Sequence, residues 1–256
     1  MKKVVGFLLL AGLVGTLFAA DDVKVEEPAF KTHIELGYTN TAGNTQSQDL
    51  AGTLEMKYKF GSNDLRFAGH TLYSSNKDID SNITSTTKNR WDAEANYDYN
   101  FNDMWAFNYL LGGKGDKFST YTYQGYTGPG AILTAVKTEN HNLMFQVNVL
   151  WSFDEYQVPY ETTSNDTTRD YASYQGSMEY VYQMTKTSKF VQYLMYRSEF
   201  SDSSNYFMKS KTGVEAKVSD IVSLGIAYVV DYTNNKADDV RSYTDRVFIA
   251  GLIVDF

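Results

Sequence analysis

The alternation of apolar and polar residues along most of the chain constrains the fold more than any other feature. A repeat of two residues is that of a β-strand with one apolar and one polar face, because successive side chains of a strand point to opposite sides. Residues 142–154 show this pattern, and residues 90–101 show it most clearly, with apolar positions at Trp91, Ala93, Ala95, Tyr97, Tyr99 and Phe101. The sequence therefore predicts an all-β protein.

Alternating segments recur along the whole chain, and counting them gives twelve predicted strands. Their ranges are 30–39, 50–60, 64–74, 90–101, 104–116, 128–137, 142–154, 172–183, 189–200, 207–218, 221–232 and 243–256. In residues 189–200 the pattern allows either parity, which leaves the side of Arg197 and Glu199 undecided.

The connections between the predicted strands fall into two alternating classes. The short connections are 61–63, 102–103, 138–140, 185–188 and 219–220. The connections of the other class are mostly longer and polar, at 40–46, 75–86, 117–127, 155–170, 201–205 and 233–242. An even number of strands with short turns at one end and long loops at the other is typical of an outer-membrane barrel with both termini at the periplasmic rim. The predicted fold is an antiparallel up-and-down transmembrane β-barrel of about 12 strands.

The N-terminus predicts export from the cytoplasm. Two lysines precede an apolar run at residues 4–18, and two alanines follow it, which is typical of a cleaved secretory signal. No later stretch is apolar for the roughly 18 residues that a membrane helix needs, so the exported protein is predicted to be either an outer-membrane barrel or soluble in the periplasm. The predicted division is a signal peptide at 1–20, a short periplasmic segment at 21–29 and the barrel at 30–256.

The C-terminus favours the barrel. Phe256 ends the chain, and the alternate residues before it are Val254, Leu252, Ala250 and Phe248. A final strand of this kind resembles the C-terminal signature that the assembly machinery of bacterial outer-membrane barrels reads. We therefore predict a monomer in the bacterial outer membrane, with the membrane lipids and, through this strand, the barrel-assembly machinery as partners.

Composition and charge exclude several classes of function. The chain has no Cys, which excludes thiol catalysis and zinc–thiolate sites, and its net charge of -8 without a long basic run argues against nucleic acid as a partner. Its three histidines fall at separate places in the predicted barrel, and the only pairing of interest joins His70 to Asp78 or Asp80. We predict no enzyme activity, no cofactor and no metal site.

The polar face of the predicted strands lines the interior, because a charge on the lipid side at mid-membrane costs roughly 2–4 kcal/mol. The residues expected to line the pore are Arg66, Arg90, Asp92, Glu94, Asp98, Lys114, Glu179, Lys209, Lys211 and Asp231. Acidic and basic residues are balanced on this face, whereas a channel for acidic sugars or phosphate is expected to carry a surplus of Arg and Lys. Opposite charges either pair across the interior and fill the lumen, or line an open pore for small solutes. The sequence does not distinguish between these two alternatives.

Two turn motifs carry a family resemblance. The hairpin at residues 37–45 contains the pair Gly43 and Asn44, which suits a tight turn because both residues tolerate positive φ. This hairpin, together with Gly128-Pro129-Gly130 at the expected start of a strand and with Phe256, resembles a bacterial family known as salt-induced outer-membrane proteins. The resemblance covers about residues 30–256 and implies an outer-membrane barrel, but no substrate or catalytic residues.

The function predicted from these observations is a narrow passive channel for small solutes or ions, linked to osmotic or salt adaptation. A first alternative is a closed structural or adhesion barrel that acts through its outer loops, residues 155–170 above all. A second alternative is a soluble periplasmic β-protein that binds a ligand.

Overall fold

The computed structural model describes residues 29–41, 46–78, 82–157, 166–234 and 244–255. They form twelve strands: β1 (Ala29–Thr41), β2 (Gln46–Phe60), β3 (Asn63–Lys77), β4 (Thr84–Asn100), β5 (Trp105–Asp116), β6 (Tyr121–Lys137), β7 (His141–Tyr156), β8 (Thr168–Gln183), β9 (Ser188–Glu199), β10 (Tyr206–Lys217), β11 (Val222–Asn234) and β12 (Thr244–Asp255). Each strand pairs antiparallel with its neighbours in sequence, and β12 pairs with β1, which closes the barrel. The predicted fold class is confirmed.

Several strands are longer than predicted at the end of the barrel that carries the long connections, the long-loop end. β4 starts at Thr84 rather than at residue 90, and β6 starts at Tyr121 rather than at residue 128. The first residues of β4 are polar and mostly exposed, so they show no alternation. Backbone pairing with β3 nevertheless continues to their end. The sequence pattern therefore marks the part of a strand with an apolar face and misses the part beyond it.

The outward faces of the strands are apolar and exposed. On β7, Val149 is 59% exposed and Trp151 is 58% exposed, whereas the adjacent Leu150 and Ser152 are each 2% exposed and point inward. Exposed aromatic pairs lie near both ends of this surface, with Tyr99 against Phe101 at the end that carries the short turns, the short-turn end. An apolar outer band with aromatic residues near its edges is the surface that membrane barrels present to lipid.

The facing of β9 follows the charges. Arg197 is 3% exposed and Glu199 is 2% exposed, and both point inward, whereas Leu194 is 43% exposed on the outer surface. The inward parity spares two charged side chains a place in the apolar outer band, where each is costly. This resolves the parity that the sequence left undecided.

The turns at the short-turn end use a small set of local devices. Gly61 has a φ of 56° in the two-residue turn between β2 and β3, a left-handed conformation that favours glycine. In the other short turns a side-chain oxygen accepts backbone N–H groups within two or three residues, as Asn102 does from the amide of Trp105 at 2.8 Å. The same arrangement occurs at Thr138, Thr185 and Ser219.

Some sequence predictions fall outside the described residues. They are the signal peptide, the turn pair Gly43 and Asn44, and the terminal Phe256. These three stay predictions. Within the described ranges no helix is long and apolar enough to cross a membrane.

Candidate functional site

The inward faces of the strands enclose a cavity of about 2270 Å³. Ser62 and Asp103 line it in turns of the short-turn end, and Ser119 and Gln157 line it at the long-loop end. The cavity therefore runs through the described barrel from one end to the other. We call it the lumen.

Every residue that the sequence predicts to line a pore borders this lumen. These residues are Arg66, Arg90, Asp92, Glu94, Asp98, Lys114, Glu179, Lys209, Lys211 and Asp231. Most of them are held by hydrogen bonds or ion pairs to other strands, so the lumen is lined by charges whose positions are fixed.

Hydrogen-bonded side chains close one side of the lumen in its short-turn half. Arg66 donates to both carboxylate oxygens of Asp98, from Nε at 2.6 Å and from Nη2 at 3.2 Å. Asn108 donates to Asp98 at 2.6 Å and accepts from Asn148 at 2.6 Å and from Gln146 at 3.1 Å. Gln146 in turn accepts from Arg66 at 3.1 Å. We call these residues the amide network. It links β3, β4, β5 and β7.

The amide network crosses β6, and two glycines of β6 make this approach possible. A Cβ atom on Gly130 would lie 2.1 Å from the backbone oxygen of Val147 and 2.4 Å from Nδ2 of Asn148. A Cβ atom on Gly128 would lie 2.0 Å from a backbone oxygen of β7. The Gly128-Pro129-Gly130 motif therefore lies within β6 and not at the start of a strand. The expectation that it opens a strand is wrong, because pairing of β6 begins earlier.

Aliphatic side chains cover other parts of the inner wall. Ala227, Val229 and Ile253 on the last two strands are buried, with exposures of 4%, 8% and 2%. Leu110 and Leu150 are also buried on the inner face, where they cluster with Tyr126. Buried apolar residues therefore lie on the inner faces of several strands. Together with the amide network they narrow the lumen.

Ion pairs connect opposite walls of the lumen. Asp92 on β4 lies 3.3 Å from Nζ of Lys209 on β10 and 2.6 Å from Nδ1 of His70 on β3. His70 and Asp92 are direct partners in the β3–β4 register. The pairing of His70 with Asp78 considered above is therefore wrong, and Asp80 lies outside the described residues.

Two further basic residues are held in the same way. Arg90 lies 2.9 Å from Asp231 and 3.5 Å from Asp245. Lys211 on β10 lies 3.1 Å from Glu35 on β1. This ion pair passes over β12 and β11, which lie between the two strands, on the lumen side. These pairs neutralise most of the charge at mid-lumen.

The acidic residues of the long-loop half also have partners. Asp154 accepts from Gln124 at 2.7 Å and from Tyr171 at 2.9 Å. Glu199 pairs with Arg169 at 2.7 Å and accepts from Asn205 at 3.0 Å.

Two basic residues of the long-loop half differ from the others. Arg197 lies over the ring of Tyr126 at 3.9 Å and near that of Phe207 at 5.0 Å, and Lys114 lies over the ring of Phe207 at 4.4 Å. Within the described part of the chain neither residue forms an ion pair, and Nε and Nη1 of the buried Arg197 have no hydrogen-bond partner. We call Arg197 and Lys114 the cation pair. Both line the lumen.

The histidines do not come together in the barrel. His33 lies 2.7 Å from Asp255, and Nδ1 of His141 lies 2.8 Å from the hydroxyl of Tyr180. Among the described residues, no group of three or more His, Asp or Glu is placed to hold a metal ion.

Sequence reasoning missed the most distinctive lumen residues. Arg197 had no assigned side, and Tyr126 and Phe207 were not considered as lining residues. Charge was the signal available for Arg197, because an arginine and a glutamate two residues apart favour the inward parity for residues 189–200. Nothing in the sequence indicated the contacts of Tyr126 and Phe207, which depend on register between strands.

Comparisons with known proteins agree with the fold. A family model described as "Protein of unknown function, DUF481" matches residues 34–256. The NanC porin structure is 11% identical with a TM-score of 0.50, covering 88% of this chain and 99% of that chain. The KdgM porin is 11% identical with a TM-score of 0.42, covering 89% and 99%. The translocator domain of the autotransporter NalP from Neisseria meningitidis is 10% identical with a TM-score of 0.42, covering 90% and 88%. The likeness to the NanC porin shows the fold alone. No curated protein sequence matches the chain.

Proposed function

Because the chain belongs to DUF481, a family of proteins of unknown function, we propose its function from the geometry of the lumen. The protein is a narrow passive channel for small solutes and ions in the bacterial outer membrane. The observation that carries this proposal is the cavity of about 2270 Å³, whose lining includes residues at both ends of the barrel.

The chemistry of the lining supports passage of polar solutes. Charged and amide side chains replace part of the hydration shell that a solute loses in a narrow space, which lowers the cost of entry. Opposite charges alternate around the wall, as in the pairs Arg90 with Asp231 and Lys209 with Asp92. Because these charges already have partners, they leave few strong contacts for a solute, and conduction requires that a bound solute can leave.

The filled parts of the inner wall support a small size limit. The amide network and the buried Leu110 and Leu150 occupy the side formed by β5 to β7, and the pair Lys211 with Glu35 lies across β11 and β12. Solutes therefore pass between these fillings and not through the full width of a twelve-stranded barrel.

The exposed apolar outer band supports a place in a membrane, with lipids as the surrounding partner. Assembly through the C-terminal strand, a monomeric state and a role in adaptation to salt are proposed from the sequence and from the family resemblance. Growth and survival of a deletion strain after a salt upshift test the last point.

Conductance of the refolded protein in a planar bilayer tests the channel. The refolded state is verified first by heat-modifiable migration on a gel. We expect discrete current steps whose size rises with salt concentration, and no steps from the same protein after boiling. Silence from verified folded barrels would contradict the channel and would favour the closed barrel that acts through its outer loops.

A further inference from the structure

We propose that the cation pair, Arg197 and Lys114, forms a binding site in the lumen for the anionic oxygen group of a small solute, either a carboxylate or a phosphate. The inference deepens the proposed channel function and rests on it, because the site lies on the path that solutes would take. It assigns anionic solutes as the class that the channel favours, although the net charge of the chain is -8.

The first step of the argument is the distribution of ion pairs. Six basic side chains of the lumen wall have carboxylates as partners: Arg66 with Asp98, Arg90 with Asp231, Lys209 with Asp92, Lys211 with Glu35, Arg169 with Glu199 and Lys189 with Glu215. The cation pair is different. Among the described residues it has no carboxylate partner, although its two members share contact with the ring of Phe207.

The second step is that the nearby carboxylates are already engaged. Asp154 is held by Gln124 and Tyr171, and Glu94 accepts from the hydroxyl of Tyr126 at 2.6 Å. Turning any of these carboxylates toward Arg197 would break a buried hydrogen bond, and an unsatisfied buried polar group is costly. The protein therefore supplies no spare counter-ion at this place.

The third step concerns the rings. Tyr126 and Phe207 hold the two cations by their faces, and a ring face attracts a cation without neutralising its charge. The rings therefore keep the cations in position while their N–H donors stay available. Arg197 retains two buried nitrogen atoms, Nε and Nη1, that have no hydrogen-bond partner.

A buried charged donor without an acceptor is the feature that points to a ligand. Hydrogen bonds between a guanidinium group and a carboxylate or phosphate oxygen are among the strongest in proteins, and they satisfy charge and donors together. All four residues, Arg197, Lys114, Tyr126 and Phe207, border the lumen, so a solute in the lumen lies beside them. An anionic oxygen group is thus what this site lacks.

Block of the channel current tests the site. Potassium gluconate and inorganic phosphate are titrated in separate series at constant KCl, with the wild-type protein, the double variant R197Q/K114Q and the single variant K114Q. We expect at least one of the two anions to reduce the wild-type current, and the half-blocking concentration to rise about tenfold or more in the double variant. The series that responds distinguishes a carboxylate site from a phosphate site.

The matched control is K31Q/K59Q, which removes the same charge at the short-turn end. Lys31 and Lys59 line the lumen, and within the described residues neither forms an ion pair; Asp64, the strand partner of Lys59, pairs with Lys57 instead. This variant is expected to keep the wild-type half-blocking concentration. An equal loss of block in both double variants, or no block by either anion in a conducting wild-type channel, would overturn the site. K114Q keeps the test valid if R197Q does not fold, because it removes one member of the pair and is expected to show an intermediate loss of block.

Titration calorimetry of gluconate and phosphate against the folded protein in detergent separates the two proposals. If the wild-type protein binds one of the anions, R197Q/K114Q does not, and the wild-type protein carries no current, the result would support the site and reject the channel. Current without binding or block would support the channel and reject the site.

Discussion

The two halves of the lumen use similar residues in opposite ways. In the short-turn half, Arg66 is tied to Asp98 and the amide network satisfies its own donors and acceptors. In the long-loop half, Arg197 is as deeply buried as Asp98 but has ring faces where a carboxylate would be expected. Arg66, whose charge is neutralised by Asp98, stabilises the barrel. Arg197 is held in position by ring faces that do not neutralise its charge, so this charge is available to a solute.

The largest effect is expected where the amide network approaches β6. The change Gly130→Ala places a Cβ atom 2.1 Å from a backbone oxygen of β7, so the two strands must separate there. We expect a loss of about 3 kcal/mol in the free energy of unfolding, measured by urea titration in detergent. Gly176→Ala is the matched control, because nothing lies within 4 Å of the added Cβ. Equal stability of the two variants would show that β7 does not need this close approach.

The reason for these glycines shows what the sequence could not predict. Alternation predicts twelve strands, and the described residues form twelve. Gly128 and Gly130 were recognised as a motif, but their reason lies in Val147 and Asn148 on another strand. Alternation assigns a face to each residue but no register, so it predicts which residues point inward and not which of them touch.

The same limit applies to the candidate site. The pairs Lys209 with Asp92 and Lys211 with Glu35 join residues 117 and 176 positions apart, across strands that are not neighbours. The balance of inward charges suggested a lumen without preference. A count of charges cannot show that the members of the cation pair have ring faces where Arg66, Arg90 and Lys209 have carboxylates.

The second prediction removes the carboxylate partner of Arg66, so that Arg66 in the short-turn half becomes unpaired, as Arg197 is in the long-loop half. Asp98→Asn leaves the charge of Arg66 without its carboxylate while the size of the side chain is kept. We expect a loss of about 2 kcal/mol in the free energy of unfolding, less than for a deeply buried pair because Arg66 is 23% exposed to the lumen. Asp103→Asn, in an exposed turn, removes the same charge and is expected to stay within about 0.5 kcal/mol of the wild type. A loss in both variants alike would mean that overall charge, and not the pair, sets the stability.

The third prediction concerns the ring that holds Arg197. Tyr126→Leu removes the ring face, whereas Tyr126→Phe keeps it and removes only the hydrogen bond to Glu94. We expect the leucine variant to be less stable than the phenylalanine variant by about 1 kcal/mol, because the cation loses its ring. Urea titration of both variants gives this difference directly. If the two variants unfold at the same urea concentration, the ring does not support the cation.

The fourth prediction compares a paired cation, Arg90, with an unpaired one, Lys114. Their substitution is expected to affect stability least, so the two are compared by the ion selectivity of the channel. Arg90→Gln and Lys114→Gln each remove one positive charge from the lumen, and each is expected to change the free energy of unfolding by less than about 1 kcal/mol. Arg90→Gln also releases Asp231 and Asp245 from their partner, whereas Lys114→Gln releases no carboxylate. The reversal potential in a KCl gradient should therefore shift toward cation selectivity in both variants, and further in Arg90→Gln. Equal shifts would mean that solutes sense only the total charge of the lumen, and the distinction between its paired and unpaired cations would then have no consequence for transport.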